Sequence, residues 1–230
     1  MSQSQLEYLN SWLEHYLNGF LSGDTKIDTN IQFKIDHTYR VRDNILAIAT
    51  SLDLRPNHIR TAEMIGLLHD IGRFKQFLKY GTYRDDISED HAELGLEILA
   101  SNQVLSGLSA TEKNIVETAI RYHNKYLLPQ IISDDCLLFC KLIRDADKLD
   151  IFRQLVHEAT EDFPDKDEYS PEVVELILEG RVVSYTNVKT TGDIKLMRMS
   201  WVLDINYGLT LKDIMEQGFL ERMVTKIPVP

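Results

Sequence analysis

Between Ile65 and Phe74 the chain reads Ile-Gly-Leu-Leu-His-Asp-Ile-Gly-Arg-Phe, and the adjacent His69 and Asp70 close its apolar run. A neutral imidazole nitrogen and a carboxylate delivered to one point are the mixture that a divalent cation of borderline hardness accepts. Taken alone, the pair is more simply a buried histidine satisfied by its neighbouring carboxylate. Other residues of the same types recur along the chain: His37, His91 and His123, with Asp147 further on. They are expected at or near helix ends that face polar stretches. Their spacings are too long for a local metal finger, so a shared site depends on tertiary convergence. His15, His58 and His157 fall outside this pattern and are expected to be surface or core residues.

The elements that must bring these residues together are helices. Leu6, Leu9, Leu13, Tyr16, Leu17 and Phe20 recur at helical spacing, predicting an amphipathic helix from Ser4 to Leu21 that ends near Gly23. The polar stretch from Asp24 to Lys34 is expected to be irregular, with His37 opening a second helix whose face carries Val41, Ile45, Ile48 and Leu52. Pro56 suits the first position of a third helix, which is expected to run through His69 and Asp70 and stop at Gly72. Phe74 to Asp90 reads as a loop over the site with a short helical turn at its start, and Ser88 as the cap of the next helix. Ser109-Ala110-Thr111-Glu112 fits a capping box for a helix that reaches His123. Asp134 to Leu149 is a buried helix ending in several carboxylates. After an acidic segment from Glu158 to Asp167, helices are expected from Ser170-Pro171 to Gly180, from Lys195 to Tyr207 and from Leu211 to Val224. No strand alternation, repeat or low-complexity linker is present. The fold class is therefore all-α, a multi-helix bundle read as a single domain over 1–230, with helices of 151–230 packed on a core of 36–150.

Composition narrows the function classes. With 43% hydrophobic residues the chain has ample material for a core, and its formal net charge of −11 argues against a nucleic-acid groove as the main surface. Small anionic substrates stay open, because bound cations and a few arginines reverse the field locally. Cys136 and Cys140 share one helix face in an apolar run, where thiols act as small hydrophobes. There is no membrane-span-length apolar stretch and no basic, then apolar, leader, so a cytoplasmic, reducing location is expected.

The order His, His-Asp, His, His, Asp on successive helices resembles the HD-domain superfamily of metal-dependent phosphohydrolases. The resemblance runs from Asp36 to Asp150, about half the chain, through Leu68-His69-Asp70-Ile71-Gly72, His91-Ala92-Glu93-Leu94-Gly95, Tyr122-His123-Asn124 and Asp145-Ala146-Asp147-Lys148-Leu149. It implies that His37, His69, Asp70 and Asp147 hold one metal ion, and that Asp70 bridges to a second held also by His91 and His123. Members without the two middle histidines are usually mononuclear, so two ions are implied here. Iron or manganese is expected on ligand hardness, with magnesium, nickel, cobalt or zinc as substitutes. The implied chemistry is attack of a metal-activated hydroxide on a phosphomonoester, nucleotide or phosphodiester.

Asp70 and Arg73 are the catalytic candidates. Many family members carry a lysine after the glycine of the central motif, where this chain has Arg73; it is a candidate for bidentate contact with a substrate phosphate or, equally, a partner of nearby aspartates. Arg84, Lys125 and Lys148 are weaker substrate-binding candidates, and Asp150 a candidate for orienting a histidine. The chain lacks the Gly-Tyr-Pro signature of the HD-GYP subfamily in Asn124-Lys125-Tyr126-Leu127-Leu128-Pro129, which argues against cyclic di-GMP. The expected partner is a small phosphorylated substrate, with no membrane and an open question of homo-oligomerisation. Two other readings use the same sequence: a diiron oxygenase of this superfamily, with the same ligands, and a non-catalytic ligand sensor.

Overall fold

The computed structural model describes residues 2–130, 132–157 and 168–224, and every regular element among them is helical. The expected acidic segment from Glu158 to Asp167 and the side chain of His157 lie outside the described residues. The chain divides into two compact units, Met1–Ala146 and Asp147–Pro230. Among the described residues no helix is long and apolar enough to cross a membrane.

The first unit contains α1 (Gln3–Asn18), α2 (Thr25–Ser51), α3 (Pro56–Leu68), α4 (Ile71–Tyr80), α5 (His91–Ser101), α6 (Ala110–Tyr122) and the first part of α7 (Asp134–His157). Leu9 and Leu13 of α1, Ile31, Ile45 and Ile48 of α2, Ile65 and Leu67 of α3, Phe74 of α4 and Phe139 of α7 are all fully buried. α3 packs against α1, α2 and α6, and α4 against α2 and α5. Side-chain caps start several helices. Asp24 accepts from the amides of Lys26 and Ile27, and the expected box at Ser109 and Glu112 forms at α6. Burial pushes the Cys140 thiol up to about 12, with Cys136 adding to the shift and Arg144 opposing it, which leaves an inert apolar group.

Four expectations about this unit are corrected. α2 begins at Thr25 rather than at His37, because Asp24 caps it and Ile31 anchors its polar first half in the core. His37 is consequently mid-helix. The third helix ends at Leu68, and the chain turns at His69 and Asp70 into a new ten-residue helix, α4, longer than the short helical turn expected at the start of the loop. Gly72 lies in the first turn of α4 and terminates nothing. It permits contact with α5: a Cβ there would overlap the His91 carbonyl and lie 2.8 Å from the Gly95 nitrogen. Asp90, rather than Ser88, caps α5, since the Ser88 hydroxyl is engaged by the Arg84 carbonyl and the Gln76 amide.

The second unit holds the remainder of α7, then α8 (Pro171–Leu178), α9 (Thr191–Ser200), α10 (Gly208–Glu216) and α11 (Phe219–Val224). One apolar cluster joins Leu149, Phe152, Ile214, Phe219 and Met223; another joins Val173, Val183, Ile194 and Met197, and Trp201 packs against both. The two long helices expected here are shorter. α9 tightens into a 3-10 turn at Trp201–Asp204, and Gly218, at φ 62°, separates α10 from α11.

Candidate metal centre

The break between α3 and α4 places His69 and Asp70 at a corner rather than along a helix. Asp70 is 3% exposed and lies among four buried histidines, two facing each of its oxygens. Oδ2 is 3.4 Å from His37 Nε2 and 3.8 Å from His69 Nε2. Oδ1 is 3.2 Å from His91 Nε2 and 3.7 Å from His123 Nε2. Two candidate clusters result, His37–His69–Asp70 and Asp70–His91–His123, each with one ligand atom per residue within 4.8 Å of the others. Five of the six residues in the motif order, from α2, the α3–α4 corner, the start of α5 and the end of α6, thus converge.

The orientation of the rings is set from behind. His69 Nδ1 lies 2.9 Å from the Gly66 carbonyl and His123 Nδ1 2.7 Å from the Ile120 carbonyl. His91 Nδ1 lies 2.7 Å from Asp85 Oδ2. Carbonyl and carboxylate oxygens only accept, so in each ring Nδ1 carries the proton and a neutral ring offers a bare lone pair at Nε2. His91 Nε2 and His123 Nε2 are 2.9 Å apart. Both nitrogens also face Asp70 Oδ1, so with neutral rings a cation bound there would take both lone pairs. The donor set of imidazole nitrogens plus one carboxylate with both oxygens facing inward fits divalent ions of borderline hardness.

The electrostatics are consistent with a carboxylate kept ionised. Burial would raise Asp70, but the Lys34 ammonium and the surrounding imidazoles outweigh it and hold the carboxyl well below the usual range. Burial likewise opposes ionisation of Asp85, yet His91, the Arg73 charge and the Gln76 amide bring it below its ordinary value. Asp85 is the hub of the support: Arg73 donates to Oδ1 at 2.8 Å, Gln76 at 2.9 Å, and Asn124 to Oδ2 at 3.2 Å. Asp85, Asp90 and His91 form a third candidate cluster. There the carboxylates are committed to the ring of His91, the cap of α5 and the Lys125 ammonium.

Of the expected substrate contacts, Arg73 is held by Asp85, Gln76 and the Tyr83 carbonyl, with Nε 3.5 Å from Asp70 Oδ1. That geometry favours the ion-pair reading of Arg73. Arg84 pairs with Asp86, and Lys125 with Asp90. Lys148 belongs to the second unit and pairs with Asp204 at 2.7 Å. Asp150, buried in that unit, accepts from Arg153 and Gln154. Asp147 is the first residue of the second unit and lies on α7 directly after Ala146, whose carbonyl accepts from Asn44 of α2.

Three participants escaped the sequence reading. Lys34 lies 3.0 Å from Asp70 Oδ2. It is one turn before His37, a relation visible only once α2 is known to include it. Asp85 and Gln76 act across a loop and carry no local sequence signal.

A family model described as HD domain matches residues 35–152, the span that contains all the candidate ligands. No curated protein gives a match.

Proposed function

The chain belongs to the HD-domain family, and from that premise we propose that it is a metal-dependent phosphohydrolase with a two-ion centre. The observation that carries the reading is the division of Asp70, one oxygen toward His37 and His69 and the other toward His91 and His123. Bound divalent ions would supply Lewis acidity toward phosphoryl oxygens and lower the pKa of a shared water.

The chain's own residues do the rest. Asp70 spans both halves of the centre with an ionised carboxylate. The backbone carbonyls of Gly66 and Ile120 and the carboxylate of Asp85 hold protons on Nδ1, so the Nε2 atoms of His69, His123 and His91 remain ligands. Gln76 and Arg73 keep Asp85 in place. No serine, cysteine or threonine is needed as a nucleophile, in keeping with the buried, inert thiols of Cys136 and Cys140. Asp147 enters the ligand set on motif order alone. The substrate class is a phosphoester, and cyclic di-GMP is disfavoured by the missing Gly-Tyr-Pro signature.

Phosphate release across a panel of nucleotides, sugar phosphates and phosphodiesters, with Mn²⁺ added and Asp70→Ala as the blank, tests the reading. Release that depends on Asp70 supports it. No release anywhere on the panel, from protein that holds two ions, overturns it in favour of oxygen chemistry at the same ligands.

A further inference from the structure

Lys34 makes a shorter contact with Asp70 than Arg73 does, 3.0 Å against 3.5 Å. Arg73, Arg84 and Lys125 make their shortest ion pairs with aspartates outside the expected ligand set, Asp85, Asp86 and Asp90, and Arg73 reaches Asp70 Oδ1 only at 3.5 Å through Nε. Those pairs can persist whether or not ions are bound. The carboxylate facing Lys34 is Asp70 itself, with Nζ 3.0 Å from Oδ2, the oxygen shared with His37 and His69. A divalent ion taking that oxygen would neutralise the charge that the ammonium answers and repel it at short range.

The surroundings of Lys34 suit a second position. Its side chain is 14% exposed against 4% for Asp70. The ammonium lies 5.4 Å from the centre of the Tyr83 ring, a face that favours a cation without fixing it. Tyr83 is itself immobilised, stacked on Phe77 at 4.8 Å and donating its hydroxyl to the Asn30 carbonyl at 2.8 Å. Lysine is a compact charge on a flexible stem, able to move between two anions a few ångströms apart.

We propose that Lys34 is a substrate-binding residue: in the ion-loaded protein its ammonium leaves Asp70 and receives a phosphoryl oxygen of the substrate. This deepens the phosphohydrolase reading and rests on it. Lys34 then serves Asp70 as a stand-in cation before the ions arrive, and competes with them.

The test measures binding of Mn²⁺ to the metal-free protein, and of inorganic phosphate to the Mn²⁺-loaded protein, by titration calorimetry. Wild type is compared with Lys34→Met, Lys34→Gln and Lys34→Arg. Removing the charge should leave Mn²⁺ binding as tight or tighter, while phosphate binding weakens about tenfold to a hundredfold, the scale of one charge-assisted hydrogen bond. Lys34→Arg should retain most of the phosphate affinity. Phosphate affinity within twofold of wild type in fully loaded Lys34→Met and Lys34→Gln overturns the inference alone. Loss of Mn²⁺ from both neutral variants also overturns it, by making Lys34 a support for Asp70. If loaded wild type binds no phosphate, the phosphohydrolase reading fails and the inference falls with it.

Discussion

His91 Nε2 and His123 Nε2 face each other at 2.9 Å while both Nδ1 atoms are committed as donors, one to Asp85 and the other to the Ile120 carbonyl. With neutral rings both Nε2 lone pairs face the space beside Asp70 Oδ1, where a divalent ion would take them together. A ligand that binds only the folded state stabilises it, by about 2.7 kcal/mol at a hundred times its Kd. For a unit of this size, each kcal/mol raises Tm by roughly 2–4 °C. Mn²⁺ should therefore raise Tm by several degrees and chelation should lower it, measured by circular dichroism. An unchanged Tm with saturating Mn²⁺ would count against an ion at this place.

Asp70 and His123 make unequal contributions under the two-ion assignment. Asp70 faces both histidine pairs, whereas His123 approaches only Oδ1. Asp70→Ala should remove both ions and abolish phosphate release; His123→Ala should retain one ion per chain. Metal analysis of the two purified variants decides the point, and equal metal contents would contradict a bridging role for Asp70.

Under the two-ion proposal, Asp85 would act on the second ion through His91. Its carboxylate holds the proton on His91 Nδ1 and is itself fixed by Arg73, Gln76 and Asn124. Loss of such an orienting partner costs about 10–100-fold in metal affinity. Asp85→Asn should therefore need more Mn²⁺ for the same activity and recover much of it at high Mn²⁺. A lowered maximum rate with unchanged Mn²⁺ dependence would exclude this route.

The candidate ligands were more legible in the sequence than the residues that support them. Apolar spacing alone was sufficient for an all-helical chain, and the reciprocal pair Ser109 and Glu112 marked the start of α6. Motif order brought His37, His69, Asp70, His91 and His123 into one set, and the structure brings the same five together. The start of α2 was hidden because its first turns are polar and are anchored by Ile31 and the Asp24 cap, and Lys34 was hidden with it. The corner at His69 and Asp70 was hidden because no proline or glycine marks it; Gly72, two residues on, serves the packing of α4 on α5 instead. Ser88 and Asp90 are both good caps by residue type, and only the tertiary engagement of Ser88 with Gln76 distinguishes them.

Gly72 offers a test of that packing. A Cβ at this position would overlap the His91 carbonyl backbone, which cannot move without displacing His91 itself. Gly72→Ala should cost on the order of 4 kcal/mol or more, the range of severe overpacking and backbone effects. The expected outcome is a Tm lowered by well over 5 °C together with weakened Mn²⁺ binding. Wild-type stability would show that α4 and α5 can separate freely.

Asp193 gives the second unit its own acid sensitivity. The side chain is buried and accepts from the Ser170 amide at 2.8 Å, the Ser170 hydroxyl at 2.7 Å, the Lys189 amide at 2.9 Å and the Thr190 amide at 3.1 Å. Burial opposes its ionisation, but these donors prevail and hold its pKa below the ordinary value of 3.8. A carboxylate depressed in the folded state contributes stability that is fully present above the unfolded pKa and is lost as the pH falls through the folded one. Asp193→Asn should therefore be less stable than wild type by about 1–3 kcal/mol at neutral pH, where a charged acceptor is replaced. The gap should narrow only below about pH 4, once the carboxyl of the unfolded wild-type chain begins to take up its proton. In a Trp12→Phe background Trp201 is the remaining tryptophan and reports on this unit, because it packs against both of its apolar clusters. A gap that stays constant down to pH 2.5, followed by Trp201 fluorescence during urea unfolding, would remove ionised Asp193 from the stability of this unit.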